Sequence, residues 1–164
     1  MLVSASPPIP ARYPRAMQLR ELMTHSVVTA ERGDSAISVA RTMRDRGVGS
    51  VIVTGGGGEP AGIVTDRDLA LRVLAEERSA QASVGECATA PLITGEPGME
   101  LEEAAALMVR HGIRRLPVAE DGRLAGIVTL DDIAVRTGDL EVARRMTADV
   151  IEGALPDFFF RERG

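Results

Sequence analysis

Two stretches of this chain read alike. Residues 61–65 are Ala-Gly-Ile-Val-Thr, and residues 125–129 are Ala-Gly-Ile-Val-Thr again, an offset of 64. Further upstream, Thr29 matches Thr94, Met43 matches Met108 and Gly47 matches Gly112 at an offset of 65, so one residue was gained or lost between. The difference falls in a loop, Gly55-Gly56-Gly57-Gly58-Glu59-Pro60 in the first copy and Glu120-Asp121-Gly122-Arg123-Leu124 in the second. A repeat of this kind is one supersecondary unit written twice, and such units bury their apolar faces against one another.

Each copy has the same layout. A short extended piece comes first, Val27-Val28-Thr29 or Leu92-Ile93-Thr94. A helix follows, because Ala36, Ile37, Ala40 and Met43, like Leu101, Ala104, Ala105 and Met108, fall at helical spacing. Asp34 or Ser35 suits the first N-cap, and Gly47 and Gly112 sit where a left-handed residue closes a helix. An apolar strand comes next, Ser50-Val51-Ile52-Val53 or Leu116-Pro117-Val118, and a Gly-containing loop turns it back into Gly62-Ile63-Val64 or Gly126-Ile127-Val128. A second helix starts near Asp66 and Asp131. Each copy is therefore β-α-β-β-α, and the fold class is α+β. Neither copy alone makes more than a marginal core at this size. The expectation is two repeats packed sheet against sheet with pseudo-two-fold symmetry.

The boundaries follow. Residues 1–17 hold Pro7, Pro8, Pro10 and Pro14 and no periodicity, so they read as a flexible Pro-rich tail. Residues 18–80 are repeat one and 81–140 repeat two. Residues 141–164 form a C-terminal helix and a tail containing Phe158, Phe159 and Phe160. The helix has Leu140, Val142, Ala143, Met146 and Val150 on one apolar face.

Composition narrows the function. All 19 basic residues are arginine, which removes Schiff-base chemistry and a phosphate-loop lysine. Any phosphate must be met by Arg, backbone amides or a helix N-terminus. The net charge of −5 argues against a surface that coats nucleic acid. No apolar run reaches the ~20 residues of a membrane span, and the start does not read as a signal peptide. The single cysteine, Cys87, has no internal disulfide partner. A cytoplasmic protein is expected.

Two β-α-β-β-α copies, each ending Gly-Ile-Val-Thr-x-x-Asp, resemble a tandem CBS-domain pair, or Bateman module. The motifs that carry the resemblance are Gly62-Ile63-Val64-Thr65-Asp66-Arg67-Asp68, Gly126-Ile127-Val128-Thr129-Leu130-Asp131-Asp132 and Gly112-Ile113-Arg114-Arg115-Leu116-Pro117-Val118. It spans residues 18–140 and is similar to small stand-alone CBS proteins of bacteria. The resemblance implies adenosine-containing ligands (AMP, ADP, ATP or S-adenosylmethionine) in clefts between the copies, with sensing rather than catalysis. No cofactor is required; the nucleotide is a regulatory ligand. It also implies a homodimer formed through helical faces and a regulated partner protein.

The resemblance implies the site residues as well. Asp68 or Asp132 accepts hydrogen bonds from two ribose hydroxyls, a task suited to an acceptor-only carboxylate. The Thr65 or Thr129 hydroxyl and nearby amides face the phosphate, aided by the helix dipole. Thr-x-x-Asp is equally a capping box, which stabilises a helix start with no ligand at all; both readings stand on the sequence. Arg114 and Arg115 are candidates for a phosphate. Strand alternation would point only one of them inward, and Arg115 is favoured. The first copy has Gly49 and Ser50 at the matching positions, so the two sites should be unequal, with Arg67 as a partial substitute. Thr29, Thr94, Val28 and Ile93 would border the nucleoside, or belong to ordinary edge strands.

Other features point away from chemistry. Gly55–Gly58 lacks the Gly-Lys-Ser/Thr of a phosphate loop and reads as a hairpin turn. His25 and His111 have no third ligand near them in sequence, so no metal site is expected. Cys87 aligns with Leu22 and reads as core. Glu76-Glu77 and Glu102-Glu103 read as solvated helix faces. With no nucleophile–base pair, an enzyme is not expected. The competing function is a ligand-free interaction protein acting through a dimer face and the C-terminal tail.

Overall fold

The order of elements predicted from the repeat is present in the structure, a computed structural model that describes residues 17–138 and 140–154. The N-terminal tail and Phe158–Phe160 lie outside the described residues, as do the side chains of Leu140, Val142 and Ala143. Helix α1 (Leu19–Leu22) leads into β1 (Thr29–Glu31), α2 (Ala36–Arg46), β2 (Ser50–Thr54), β3 (Pro60–Thr65) and α3 (Asp66–Leu69). Helix α3 continues as a π-helical stretch, Ala70–Leu74. The second copy repeats the series with α4 (Val84–Cys87), α5 (Leu101–His111), β4 (Arg115–Glu120), β5 (Arg123–Thr129) and α6 (Leu130–Thr137), and α7 (Leu140–Ala154) follows.

Local chemistry accounts for the helices. The Ser35 side chain accepts the Ser38 amide at the start of α2. Gly47 and Gly112 close α2 and α5 with φ of 65° and 60°, the left-handed conformation that a side chain disfavours. The strands form a β1-β2-β3 sheet and a β4-β5 sheet. Strand β1 runs parallel to β2, and β2 runs antiparallel to β3. The extended piece differs from expectation in both copies. In the first it starts late, because the Val27 amide turns back onto the His25 carbonyl at 3.1 Å and the ladder begins with Ile52 donating to Val28. In the second it shrinks to a bridge between Gly95 and Val118. In the first copy Ile52 donates its amide to Val28 and Arg32 to Thr54; Pro117 and Pro97 stand at the matching positions and have no N–H to give.

The compact units are not the sequence halves. One is built from residues 24–96 and 117–127, the other from the residues up to 23, 97–116 and those from 128 on. The exchange is made by the lead-in segments. Thr24 pairs with Ile127 and Thr89 with Ile63, each in both directions. The opening segment of each copy thus bonds to the second hairpin strand of the other copy.

The unit built around 24–96 has its core in Ala36, Val39, Met43, Val51, Val53, Val64, Val73, Val84 and Cys87. Here α2 and α4 pack on each other and on β2 and β3. In the other unit, α7 packs against α5 and α6, and α1 against α6. Met146 and Val150 of α7 are fully buried, as are Leu19, Leu22, Met108 and Ile133. Burial at Cys87 pushes its thiol above the ordinary value. At pH 8 the folded protein should therefore react with a thiol reagent at least about tenfold more slowly than the protein in guanidinium. Equal rates would show that Cys87 is not core.

Candidate functional site

Both copies make the same corner from strand to helix. Thr65 and Thr129 end their strands with extended backbone, φ −111° and −114°, and become the N-caps of α3 and α6. The Thr65 hydroxyl accepts the Asp68 amide at 3.1 Å and donates to Asp68 Oδ2 at 2.7 Å, while the Thr65 amide donates to the same oxygen at 2.9 Å. At the second corner the corresponding distances from Thr129 to Asp132 are 3.1, 2.7 and 2.8 Å. Both are complete capping boxes. The box uses one carboxylate oxygen, Oδ2, for two donors.

Most amides of these corners are hydrogen-bonded within the protein. Asp66 N donates to the Gly49 carbonyl and Leu130 N to the Arg114 carbonyl, both at 3.2 Å. Arg67 N donates to Asp66 Oδ1 at 2.8 Å. With the Thr65 and Asp68 amides in the box, the first turn of α3 is bonded within the protein. Cationic side chains are the stronger candidates to meet an anion at such a corner.

At the second corner the side chains are present. Arg114 and Arg115 line a hollow of about 200 Å³ together with Thr129, Leu130, Asp131 and Thr147. The expectation that alternation would turn only one arginine inward does not apply, because β4 begins at Arg115 and Arg114 sits in a bend before it. Arg114 is exposed and Arg115 half-buried. Two guanidinium groups against one Asp131 carboxylate suit an anion. Asp131 and Thr147 were not singled out from the sequence. Asp131 lies inside the motif of residues 126–132, which gives it no role; Thr147, a polar residue on helix α7, carries no local signal.

The first corner lacks that pair. Ser50 begins β2 and pairs with Thr65, Gly49 precedes it, and Arg67 is exposed on the first turn of α3. The bordering residues fall elsewhere in the same unit. Thr29 is exposed on β1, and Val28 packs on the core. Ile93 and Thr94 are half-buried in the extended segment before Gly95. Among the described residues no group of three His, Cys, Asp or Glu side chains is placed to hold a metal. None of the described helices is long and apolar enough to cross a membrane.

Comparison with known proteins places this geometry. The CBS domain family matches residues 19–75 and again 84–136. An uncharacterized protein of Methanopyrus kandleri is 39% identical over 121 residues, covering 73% of this chain and 62% of its own length. The CBS domain-containing protein YhcV of Bacillus subtilis is 39% identical over 117 residues, covering 71% of this chain and 83% of its own. Among solved structures, the CBS domain pair of protein MJ0100 superposes with a TM-score of 0.67 at 24% identity, over 74% of this chain and 96% of that one. That pair was crystallised with 5′-methylthioadenosine and S-adenosylmethionine. At this identity the match speaks for the fold.

Proposed function

The chain belongs to the CBS-domain family, and from that premise we propose that it is a non-catalytic cytoplasmic sensor of an adenosine-containing ligand. The ligand is held first at the second corner. The observation that carries this is the grouping of Arg114, Arg115 and Thr129 on one hollow, at the turn whose capping carboxylate is Asp132. The arginines meet phosphate. Asp132 accepts the ribose hydroxyls. The first corner, with Gly49 and Ser50 in place of the arginines, binds more weakly and through the ribose only.

A ligand that favours one arrangement of the molecule shifts its population toward that arrangement, and a partner protein reads the shift. The experiment is thermal unfolding against AMP, ADP, ATP and S-adenosylmethionine. At a concentration about 100 times the dissociation constant, a ligand that binds only the folded state adds about 2.7 kcal/mol. No stabilisation by any of the four at millimolar concentration would remove the proposal.

We also propose that the protein works as a homodimer through its helical faces. In the first unit an apolar hollow of about 530 Å³ is lined by Ala40, Met43 and Leu69 among others. Leu74, which also lines it, is 76% exposed. Leu71 and Val135 occupy the same position in the two copies and are both exposed. Large apolar side chains left open at matching positions suit a self-complementary contact. Leu74→Glu should convert the dimer to monomer in sedimentation velocity; a wild-type monomer at micromolar concentration would contradict the proposal.

A further inference from the structure

One arginine at the first corner, Arg72, reaches three groups at once. The Arg72 guanidinium donates to the Cys87 carbonyl at 2.8 Å and to Thr89 Oγ1 at 3.2 Å, and its third contact is Asp68 Oδ1 at 3.5 Å. Each partner has a definite role. The Cys87 carbonyl belongs to the last residue of α4 and would otherwise lack an intrahelical partner. Thr89 is bonded in both directions to Ile63, at 2.8 and 3.1 Å, two residues before the capping Thr65. At Gly62 a Cβ would lie 3.0 Å from the Thr89 carbonyl, so residues 88–89 are laid directly against β3. Asp68 is the corner's carboxylate.

Arg72 sits in the π-helical stretch, where Ala75 donates to Ala70 at 3.0 Å. The second copy is α-helical through Thr137 at the matching place. A π turn in a helix marks a local departure from the regular hydrogen-bond ladder and is frequent at functional positions.

We propose that Arg72 is a positioning residue that links occupancy of the Asp68 corner to the hold on residues 87–89. The inference rests on the reading of Asp68 as a ribose acceptor. Oδ2 of Asp68 is already taken by the Thr65 amide and hydroxyl. Ribose hydroxyls must therefore use Oδ1, the oxygen that faces Arg72. Ligand and Arg72 compete for one atom. Binding weakens one of the three contacts of the clamp, and the opening segment of the second repeat is held less firmly. By reciprocity, a firmly held segment opposes binding at this corner.

Hydrogen exchange on the full chain tests this, with ATP as the probe and 2′,3′-dideoxyadenosine triphosphate as its hydroxyl-free counterpart. With saturating ATP, the amides of residues 65–68 should slow. Those of Thr89 and Ile63 should exchange faster by up to about fivefold, the scale of an ion pair of this exposure. The dideoxy compound should speed neither Thr89 nor Ile63. In Arg72→Met the Thr89 and Ile63 amides should be fast without ligand and indifferent to ATP, while slowing at 65–68 persists. Slowing at 65–68 in the wild type with Thr89 and Ile63 unchanged would overturn the inference alone. No response at 65–68 would overturn the ligand reading of this corner, and the inference with it. The wild-type arms decide the matter even if the variant is unstable.

Discussion

Asp132→Asn should remove most of the ligand-induced rise in melting temperature while leaving the ligand-free protein nearly as stable as before. Asp132 has two tasks in this account, and the substitution separates them. For the cap, Oδ2 accepts the Thr129 amide and hydroxyl. An asparagine oxygen can still accept both, so the capping box with Thr129 is kept, and the change without ligand should stay below about 1 kcal/mol. For the ligand, the second carboxylate oxygen becomes an NH2 group. It donates, so it cannot accept from ribose hydroxyls. Hydrogen bonds to charged groups contribute about 1.5–3 kcal/mol each, so losing them weakens binding about 100-fold or more. At a ligand concentration that stabilises the wild type by about 2.7 kcal/mol, a 100-fold weaker site yields only about 0.4 kcal/mol. Asp132→Ala would blur this result, because it also removes the carboxylate half of the capping box and leaves the Thr129 amide without that acceptor, at about 1 kcal/mol or more. An undiminished ligand shift in Asp132→Asn would mean that the motif is a cap and nothing more.

Replacing Arg114 and Arg115 together by Ala should cost phosphorylated ligands about 100-fold or more in affinity and leave adenosine unaffected. The first-turn amides of these corners are largely bonded within the protein, to Gly49 O, Arg114 O, Asp66 Oδ1 and the caps. The burden of phosphate recognition then falls on the two guanidinium groups lining the hollow. Each charge-assisted contact is of the order of 1.5–3 kcal/mol, and two of them set the size of the effect. Single substitutions should each give part of the loss, because both residues line the hollow. The comparison to make is titration of ATP and of adenosine into wild type and double variant. Equal losses for both would indicate that the substitutions disturb the corner rather than remove a phosphate contact.

The repeat made most of the fold legible. The offset between Ala61–Thr65 and Ala125–Thr129 located both hairpins and both corners, and Gly47 and Gly112 fixed the ends of α2 and α5. These are features of local sequence: helical period, a left-handed glycine, a Thr three residues before an Asp. What was missed depends on distance or on a single atom. The short strand of the second copy shrinks because Pro117 and Pro97 have no amide to donate. The make-up of the compact unit built from 24–96 and 117–127 depends on Thr24 bonding to Ile127 and Thr89 to Ile63, pairings that no local pattern announces. Strand alternation misled at Arg114 because that residue is not yet in the strand. Thr147 reaches the hollow from α7, and the π-helical stretch that carries Arg72 has no signature in Ala70–Leu74.

A crystal structure of the protein grown with millimolar ATP tests the central claim most directly. The account predicts nucleotide at the second corner, with the ribose hydroxyls within hydrogen-bond distance of the Asp132 carboxylate and phosphate against Arg114 and Arg115. ATP bound away from Thr129–Asp132, or a second corner that stays empty in ATP-soaked and co-grown crystals alike, would contradict it.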